Sequence, residues 1–166
     1  MQLYTILFSN TTSRDFMTYH PYPYKRPHAA RYTFVSAGKR KVEKVVDFVP
    51  IGINGIMNLA FGNLLPDGTV DDKVSSNNGD ILKVLTTVVY ILKDYTAEYP
   101  QIEIFFTGST NERTRLYTRI IKTYFSTFNK EFRITGLIGS DVDSAEVLFD
   151  PKFELEYFAF LIKRIN

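Results

Sequence analysis

Cysteine and tryptophan are absent from this chain of 166 residues, and histidine occurs only twice. Without cysteine, the protein has no disulfide bond and no thiolate metal site. No run of residues approaches the roughly 20 apolar positions that span a bilayer. The apolar residues 1–8 lack the basic flank and the small-residue cleavage site of a signal peptide. We therefore expect a cytoplasmic protein with no membrane partner.

An excess of either charge is also missing, since 20 Lys and Arg residues face 18 Asp and Glu residues and the formal net charge is +2. A balance this close does not by itself indicate a nucleic-acid partner. The two histidines, His20 and His28, have no obvious acidic partner. No catalytic signature is present, so the catalytic residues stay unknown, enzyme activity stays an open question, and neither a cofactor nor a metal is implied.

The composition is 45% hydrophobic, enough for one domain with a core of its own. Residues 1–30 are predicted to be an N-terminal strand followed by an irregular arm, because Tyr19–Tyr24 alternates proline with tyrosine. The arm could lie over an apolar surface or offer a groove to a protein partner. Residues 31–166 are predicted to form a single α+β domain.

Hydrophobic periodicity predicts the elements of that domain. Strands are expected at residues 31–36, 41–49, 56–61, 101–107 and 132–138, with a last strand within 153–165; helices are expected at residues 81–99 and 109–128; a short helical turn is expected at residues 144–148. A strand, a helix and a second strand follow one another between residues 56 and 107, which is typical of a βαβ crossover. The prediction is a mostly antiparallel sheet containing one βαβ unit, with two main helices packed on one face.

The turn at Gly108 joins a strand to an arginine-rich helix. Ser109 and Glu112 have the spacing of a capping box, which predicts a helix that begins at Ser109. At about 100° per residue, Arg113 projects with the apolar side of this helix, whereas Arg115 and Arg119 project away from it. A sheltered guanidinium needs an acceptor such as a carboxylate or a phosphate.

The predicted topology brings three segments to one edge of the sheet: the helix start, the turn between the first two strands of the domain, and the loop at residues 62–78. The candidate ligand-binding residues are Ser109, Thr110, Arg113, Lys39, Arg40, Asp71, Asp72 and Asn77. Their hydroxyls and cations suit a phosphate-bearing ligand, either RNA or a nucleotide. The structural alternative is an ion pair of Arg113 with Asp71, Asp72 or Asp80.

Two other functional classes stay open at this point. One is a protein-interaction or regulatory component without a small-ligand site, with the arm or a sheet edge as the contact. The other is a metal-dependent nuclease or phosphodiesterase that uses Asp71, Asp72 or Asp80.

Several segments of the chain also carry a family resemblance. The most specific motif is Gly108-Ser-Thr-Asn-Glu-Arg-Thr-Arg-Leu-Tyr117, and the other matching segments are residues 32–39, 44–50, 58–62, 67–72 and 76–80. With these motifs the chain resembles an uncharacterised family of small bacterial proteins, known mainly as a domain of unknown function, over about residues 31–165. The resemblance implies a single domain and implies no activity, substrate or cofactor.

Overall fold

The computed structural model describes residues 19–53 and 55–165, in which nine strands form one sheet and two helices pack against it. The elements are β1 (Tyr24–His28), β2 (Arg31–Ala37), β3 (Lys41–Pro50), β4 (Ile56–Leu64), β5 (Val70–Asp71), α1 (Ile81–Glu98), β6 (Glu103–Phe106), α2 (Asn111–Phe128), β7 (Phe132–Gly139), β8 (Ser144–Leu148) and β9 (Ala159–Arg164). The strand order is β1-β2-β3-β4-β6-β9-β7-β8, with β5 beside β4. Neither helix is long and apolar enough to cross a membrane.

The predicted α+β class and the βαβ unit are confirmed. Strands β4 and β6 are parallel and are joined through α1, and the other strand pairs in the described chain are antiparallel. The last element is a strand, as expected from residues 153–165, but it is shorter and spans Ala159–Arg164.

Two local predictions are wrong. Residues 144–148 form strand β8 and not a helical turn, because they pair with β7 from Thr135↔Leu148 to Gly139↔Ser144. A five-residue segment has too few turns for helical periodicity to outweigh such a pairing. The N-cap of α2 is Thr110, one residue after the predicted Ser109, and the helix itself begins at Asn111: the Thr110 hydroxyl accepts a hydrogen bond from the backbone N–H of Arg113.

Both helices cover the same face of the sheet. Side chains alternate between the two faces along each strand, and on the helix side the paired positions are aromatic or branched. They include Tyr32, Phe34, Val46, Phe48, Ile104, Phe132, Ile134, Phe160 and Ile162, which form one core cluster with Val84, Ile91, Leu92 and Tyr95 of α1 and Ile121 of α2. The rings of Phe48 and Tyr95 stack 3.7 Å apart and fix α1 on the sheet.

The described part of the N-terminal arm is tied to the domain. Tyr22 is buried, its backbone N–H donates to Thr87 of α1, and its hydroxyl donates to Asp80 over 2.7 Å. Tyr24 begins the edge strand β1, and its hydroxyl donates to Asp94 of α1. These tyrosines face the domain, so their contacts do not favour a groove open to a partner.

The sheet has a split beside β4. On the side away from β3, β4 pairs with β6 at Ile56–Asn58 and with β5 at Asn63 and Leu64. Within the described chain no strand lies beside residues 59–62 on that side. Strand β6 has ended by then, because the chain turns at Gly108 into α2. This split lies at the carboxyl ends of the two parallel strands, where α/β units commonly bind ligands.

Candidate functional site

A cavity of about 220 Å³ lies between the split sheet and the two helices. Its walls are mostly apolar: Leu59, Phe61, Leu85, Val88, Val89, Leu92, Phe106, Tyr117, Ile120, Ile121, Phe128, Phe132, Ile134 and Ile162. Its exposed lining residues, Asp72, Thr107 and Ser109, mark the mouth, and the half-buried Arg113 lies beside them. The cavity thus combines an apolar body with a polar mouth, which is typical of small-molecule sites.

Four consecutive residues of β4, Asn58 to Phe61, line the cavity. Successive side chains of a strand point to opposite faces, so four consecutive residues can share one cavity only along the edge of the strand. The cavity therefore extends into the split itself. The fold makes room there by ending β6 at Phe106 and starting β5 only at Val70.

Arg113 is half-buried, as its position on the apolar side of the helix predicts. Its Nη1 donates to the Ser109 hydroxyl over 2.5 Å, and its Nη2 donates to the backbone carbonyl of Lys73 over 3.0 Å. Within residues 19–53 and 55–165, Arg113 makes no ion pair with a carboxylate. The guanidinium pins the loop through a carbonyl, and its charge stays uncompensated at the mouth of the cavity.

The helix start itself is already occupied by polar groups of the chain. The Thr110 hydroxyl caps the backbone N–H of Arg113 over 3.3 Å. Two hydrogen bonds hold the pKa of the Glu112 carboxylate below its usual range. The larger effect comes from the backbone N–H of Glu112 and the smaller one from the Thr110 hydroxyl. An acid at this position also complements the helix dipole. The hydrogen-bond donors left over in this region therefore belong to the side chain of Arg113 more than to the helix N-terminus.

Asp72 is the acidic counterpart of Arg113 at the mouth. Its backbone carbonyl accepts a hydrogen bond of 2.8 Å from Ser109, the residue that Arg113 also contacts. Its carboxylate forms neither a hydrogen bond nor an ion pair with the described residues. Both charges act on Tyr117 in the cavity wall: burial raises the pKa of its phenol, Arg113 lowers it, and Asp72 raises it.

Lys39 and Arg40 lie on the far side of the loop from the cavity. The backbone N–H of Lys39 donates to the carbonyl of Asn78, and Arg40 Nη2 donates to the carbonyl of Ser76. Neither cation lines the cavity. The loop therefore contacts both predicted basic groups and holds them apart. Its residues 72 and 73 contact the start of α2, and its residues 76–78 contact the β2–β3 turn.

Within this loop, Asn78 is the anchor, and sequence reasoning selected its neighbour Asn77. The Asn78 side chain is buried; its Oδ1 accepts from the Arg40 N–H, and its Nδ2 donates to Ser36 Oγ and to the Arg40 carbonyl. Asn77 is exposed, with a positive φ of 42°. The two amides are adjacent and chemically identical, so the sequence does not distinguish them. Only the folded structure shows which of the two is buried.

The three aspartates proposed for metal binding do different things: Asp72 lines the cavity mouth, and the other two accept hydrogen bonds elsewhere. Asp71 Oδ1 accepts from the backbone N–H groups of Lys73 and Val74 and closes a turn. Asp80 Oδ2 accepts from Tyr22 and from Ser36. No group of three or more histidine, aspartate or glutamate side chains that could hold a metal ion occurs within the described part of the chain.

Lys44 is a buried cation that sequence reasoning missed. It lies on the helix side of β3, and its Nζ donates to Asn63 Oδ1 over 2.6 Å and to Ser76 Oγ over 3.0 Å. Burial lowers its pKa, Arg113 and Arg40 lower it further, and Asp80 opposes them. The alternation of β3 indicates which face Lys44 occupies, but the loop that covers it comes from a distant part of the sequence.

Replacing Lys44 with methionine is expected to change the pH dependence of stability. Because the folded pKa of Lys44 lies below the ordinary value of 10.5, the unfolded chain binds more protons in the window between them. The contribution of Lys44 to stability therefore increases as pH rises through this window. The stability of Lys44→Met minus that of the wild type should therefore be highest at neutral pH and should decrease as pH rises towards 10.5. Urea unfolding of both proteins across this range measures the difference, and a difference independent of pH would contradict the prediction.

Comparison with known proteins gives one family. The model of a family of unknown function, DUF6934, matches residues 18–165. No curated protein and no solved structure matches the chain. The predicted resemblance to a family of unknown function is thereby confirmed, and the match extends beyond residues 31–165 to the described part of the arm.

Proposed function

The chain belongs to this family of unknown function, and we propose that it is a binding module for a small ligand that carries an anionic group. The observation that carries the proposal is the half-buried Arg113, which lines an apolar cavity and has no carboxylate partner in the described chain. A guanidinium removed from water gains most from a charged acceptor. An anion at the mouth would supply that acceptor.

The position of Arg113 leaves donors available to such an anion. Of its five N–H groups, one bonds Ser109 and one bonds Lys73. These two bonds hold the guanidinium in place before a ligand arrives, which lowers the entropic cost of binding. Ser109 and Thr107 are exposed at the same mouth, but their hydroxyls already donate to the carbonyls of Asp72 and Phe158, so Arg113 is the main donor for the anion.

The size of the cavity restricts the ligand. Pockets for drug-sized ligands measure roughly 300–1,000 Å³, and a cavity of about 150 Å³ accepts benzene. The volume here, about 220 Å³, suits one ring or a short branched chain below the charged group. Nucleotides and RNA are the ligands that the sequence favours. Either would place a phosphate at Arg113 and leave much of its mass outside the cavity.

Titration of the folded protein with small anions tests the proposal. Phenyl phosphate and 3-phenylpropanoate present a phosphate and a carboxylate on the same ring, and adenosine monophosphate and hexauridylate represent nucleotides and RNA. We expect at least one of these four probes to bind in a saturable manner, followed by NMR shifts of residues in the cavity wall. Arg113→Met should weaken that binding by about tenfold or more, since a charge-assisted hydrogen bond contributes roughly 1.5–3 kcal/mol.

Arg119→Met is the matched control for this substitution. Arg119 lies on the same helix, is exposed and does not line the cavity, so the variant removes the same charge without touching the site. Its affinity for the probe should stay within about twofold of the wild type. The proposal fails when none of the four probes binds, or when Arg113→Met binds as tightly as Arg119→Met.

The other two functional classes have less support from the contacts. An interaction through the arm has to use a segment whose Tyr22 and Tyr24 hydroxyls already bond to Asp80 and Asp94. A metal-dependent nuclease would use Asp71, Asp72 or Asp80, but the carboxylates of Asp71 and Asp80 already accept hydrogen bonds, and Asp72 belongs to no group of three or more ligating side chains in the described chain.

A further inference from the structure

The cavity mouth carries two charges of opposite sign that do not neutralise each other. Arg113 and Asp72 both line the cavity, yet no carboxylate oxygen of Asp72 comes within 4.0 Å of a guanidinium nitrogen of Arg113. Opposite charges at one cavity mouth attract each other. Here the Arg113 guanidinium instead bonds the Ser109 hydroxyl and the Lys73 carbonyl.

Ser109 explains how the two charges are held near each other but separate. Its hydroxyl accepts from Arg113 Nη1 and donates to the backbone carbonyl of Asp72, so one side chain touches both residues. Arg113 Nη2 is meanwhile directed to the carbonyl of Lys73. The loop therefore binds the arginine through the Lys73 carbonyl, and the Asp72 carboxylate stays without a partner among the described residues.

An acceptor and a donor of opposite charge, both at the mouth of one apolar cavity, match the groups of one kind of molecule. The carboxylate and the ammonium group of a free amino acid are attached to the same carbon, and its side chain extends away from both. We infer that the ligand is a free amino acid with an apolar side chain. This inference rests on the proposed function and specifies its ligand.

Each part of such a ligand has a partner at the site. Arg113 receives the carboxylate, Asp72 receives the ammonium group, and the aliphatic and aromatic walls receive the side chain. The cavity of about 220 Å³ has room for the side chain of leucine, isoleucine or phenylalanine. A phosphate has no group for Asp72 and would carry a second negative charge towards it, so the carboxylate is favoured over the phosphate.

Three compounds that differ by one charged group test the inference on the intact chain. L-phenylalanine has both charged groups, 3-phenylpropanoate lacks the ammonium group, and 2-phenylethylamine lacks the carboxylate. By calorimetry or NMR titration, L-phenylalanine should bind at least about tenfold more tightly than either analogue. Glycine, which has both charges and no side chain, should bind at least about tenfold more weakly than L-phenylalanine because it leaves the cavity unfilled.

Asp72→Asn identifies the group that recognises the ammonium. The Asp72 carboxylate is exposed and has no partner in the described chain. The substitution therefore keeps the shape of the side chain and removes only its charge. The affinity for L-phenylalanine should fall by about tenfold to that of 3-phenylpropanoate. The affinity for 3-phenylpropanoate should stay unchanged or increase, because a repelling charge has been removed.

The outcomes separate this inference from the proposed function. If 3-phenylpropanoate binds the wild type as tightly as L-phenylalanine, the ligand is not an amino acid. If Asp72→Asn leaves the preference intact, Asp72 does not recognise the ammonium group and the inferred site is wrong. In both cases an anion site at Arg113 still stands. If phenyl phosphate binds with Arg113-dependent affinity and L-phenylalanine does not bind, the inference is overturned in favour of a phosphate ligand. If no anion binds at all, both proposals fail.

Discussion

Asn78→Ala is expected to lower the free energy of unfolding by about 3 kcal/mol, because three hydrogen bonds of a buried side chain are lost together. The variant leaves the backbone N–H and carbonyl of Arg40 and the hydroxyl of Ser36 without the Asn78 side chain. For a chain of this length, the corresponding decrease in Tm is about 6–12 °C. Thermal and urea unfolding of the purified variant measure both quantities.

Asn77→Gly is the control for this prediction. Asn77 is exposed next to the buried Asn78, and its φ of 42° lies in the left-handed region that glycine adopts readily. Its substitution should change the free energy of unfolding by less than about 0.5 kcal/mol. Equal losses in the two variants would mean that the loop is not anchored by the Asn78 amide.

The same variant bears on the cavity. Asn78 holds one end of the loop whose other end supplies Asp72 and the Lys73 carbonyl to the mouth. Loosening this anchor should reduce the affinity for the ligand that binds the wild type, even though Asn78 does not line the cavity. The buried Lys44 reinforces the same connection, because it bonds Ser76 of the loop and Asn63 of β4 at once.

Gly136→Ala is expected to destabilise the protein by about 3 kcal/mol through a steric clash. A Cβ atom at Gly136 would lie 2.2 Å from Cε1 and 2.3 Å from Cδ1 of Tyr157. Tyr157 is buried, and its ring packs 5.3 Å from those of both Phe149 and Phe160. The ring therefore has no space into which to move, and either β7 or the aromatic cluster must shift. Urea unfolding of the variant measures the loss.

A double-mutant cycle separates this clash from an effect on the strand itself. In a Tyr157→Leu background the bulky ring is gone, so adding Gly136→Ala should cost less than about 1 kcal/mol. Alanine is otherwise acceptable in a strand, and the N–H and carbonyl groups of residue 136 still pair with β8 and β9. An undiminished cost in the Tyr157→Leu background would show that Gly136 is required for its backbone conformation and not for the contact.

The main elements of the fold follow from local patterns in the chain. Apolar residues at spacings of three and four specify α1 and α2, and runs of β-branched and aromatic residues specify β2, β3, β4 and β7. The parallel pairing of β4 with β6 also follows, because a helix between two strands leads the chain back in the same direction. The half-buried position of Arg113 follows from the helical period, since the residue lies on the same side as the apolar stripe.

The charge pairing at the site depended instead on the packing of distant segments. From the sequence, Arg113 is a candidate to pair with Asp71, Asp72 or Asp80. All three aspartates lie in or next to the loop that is predicted to reach the start of the helix. In the folded chain Asp71 closes its own turn, Asp80 accepts from Tyr22 and Ser36, and Arg113 bonds carbonyl and hydroxyl groups. Which of these partners a side chain reaches is set by the backbone path between them, and no local periodicity encodes that path.

The apolar residues that line the cavity were recognisable one by one, but the cavity itself was not. It exists because β6 stops at Phe106 and β5 starts at Val70, so that in the described structure β4 lacks a neighbour over residues 59–62 on the side away from β3. Burial of Lys44 and the role of Asn78 likewise arise where residues 63–78 fold back over β3. Sequence patterns extend over a few turns or a few strand positions, whereas a cavity is the space left between elements that are far apart in the chain.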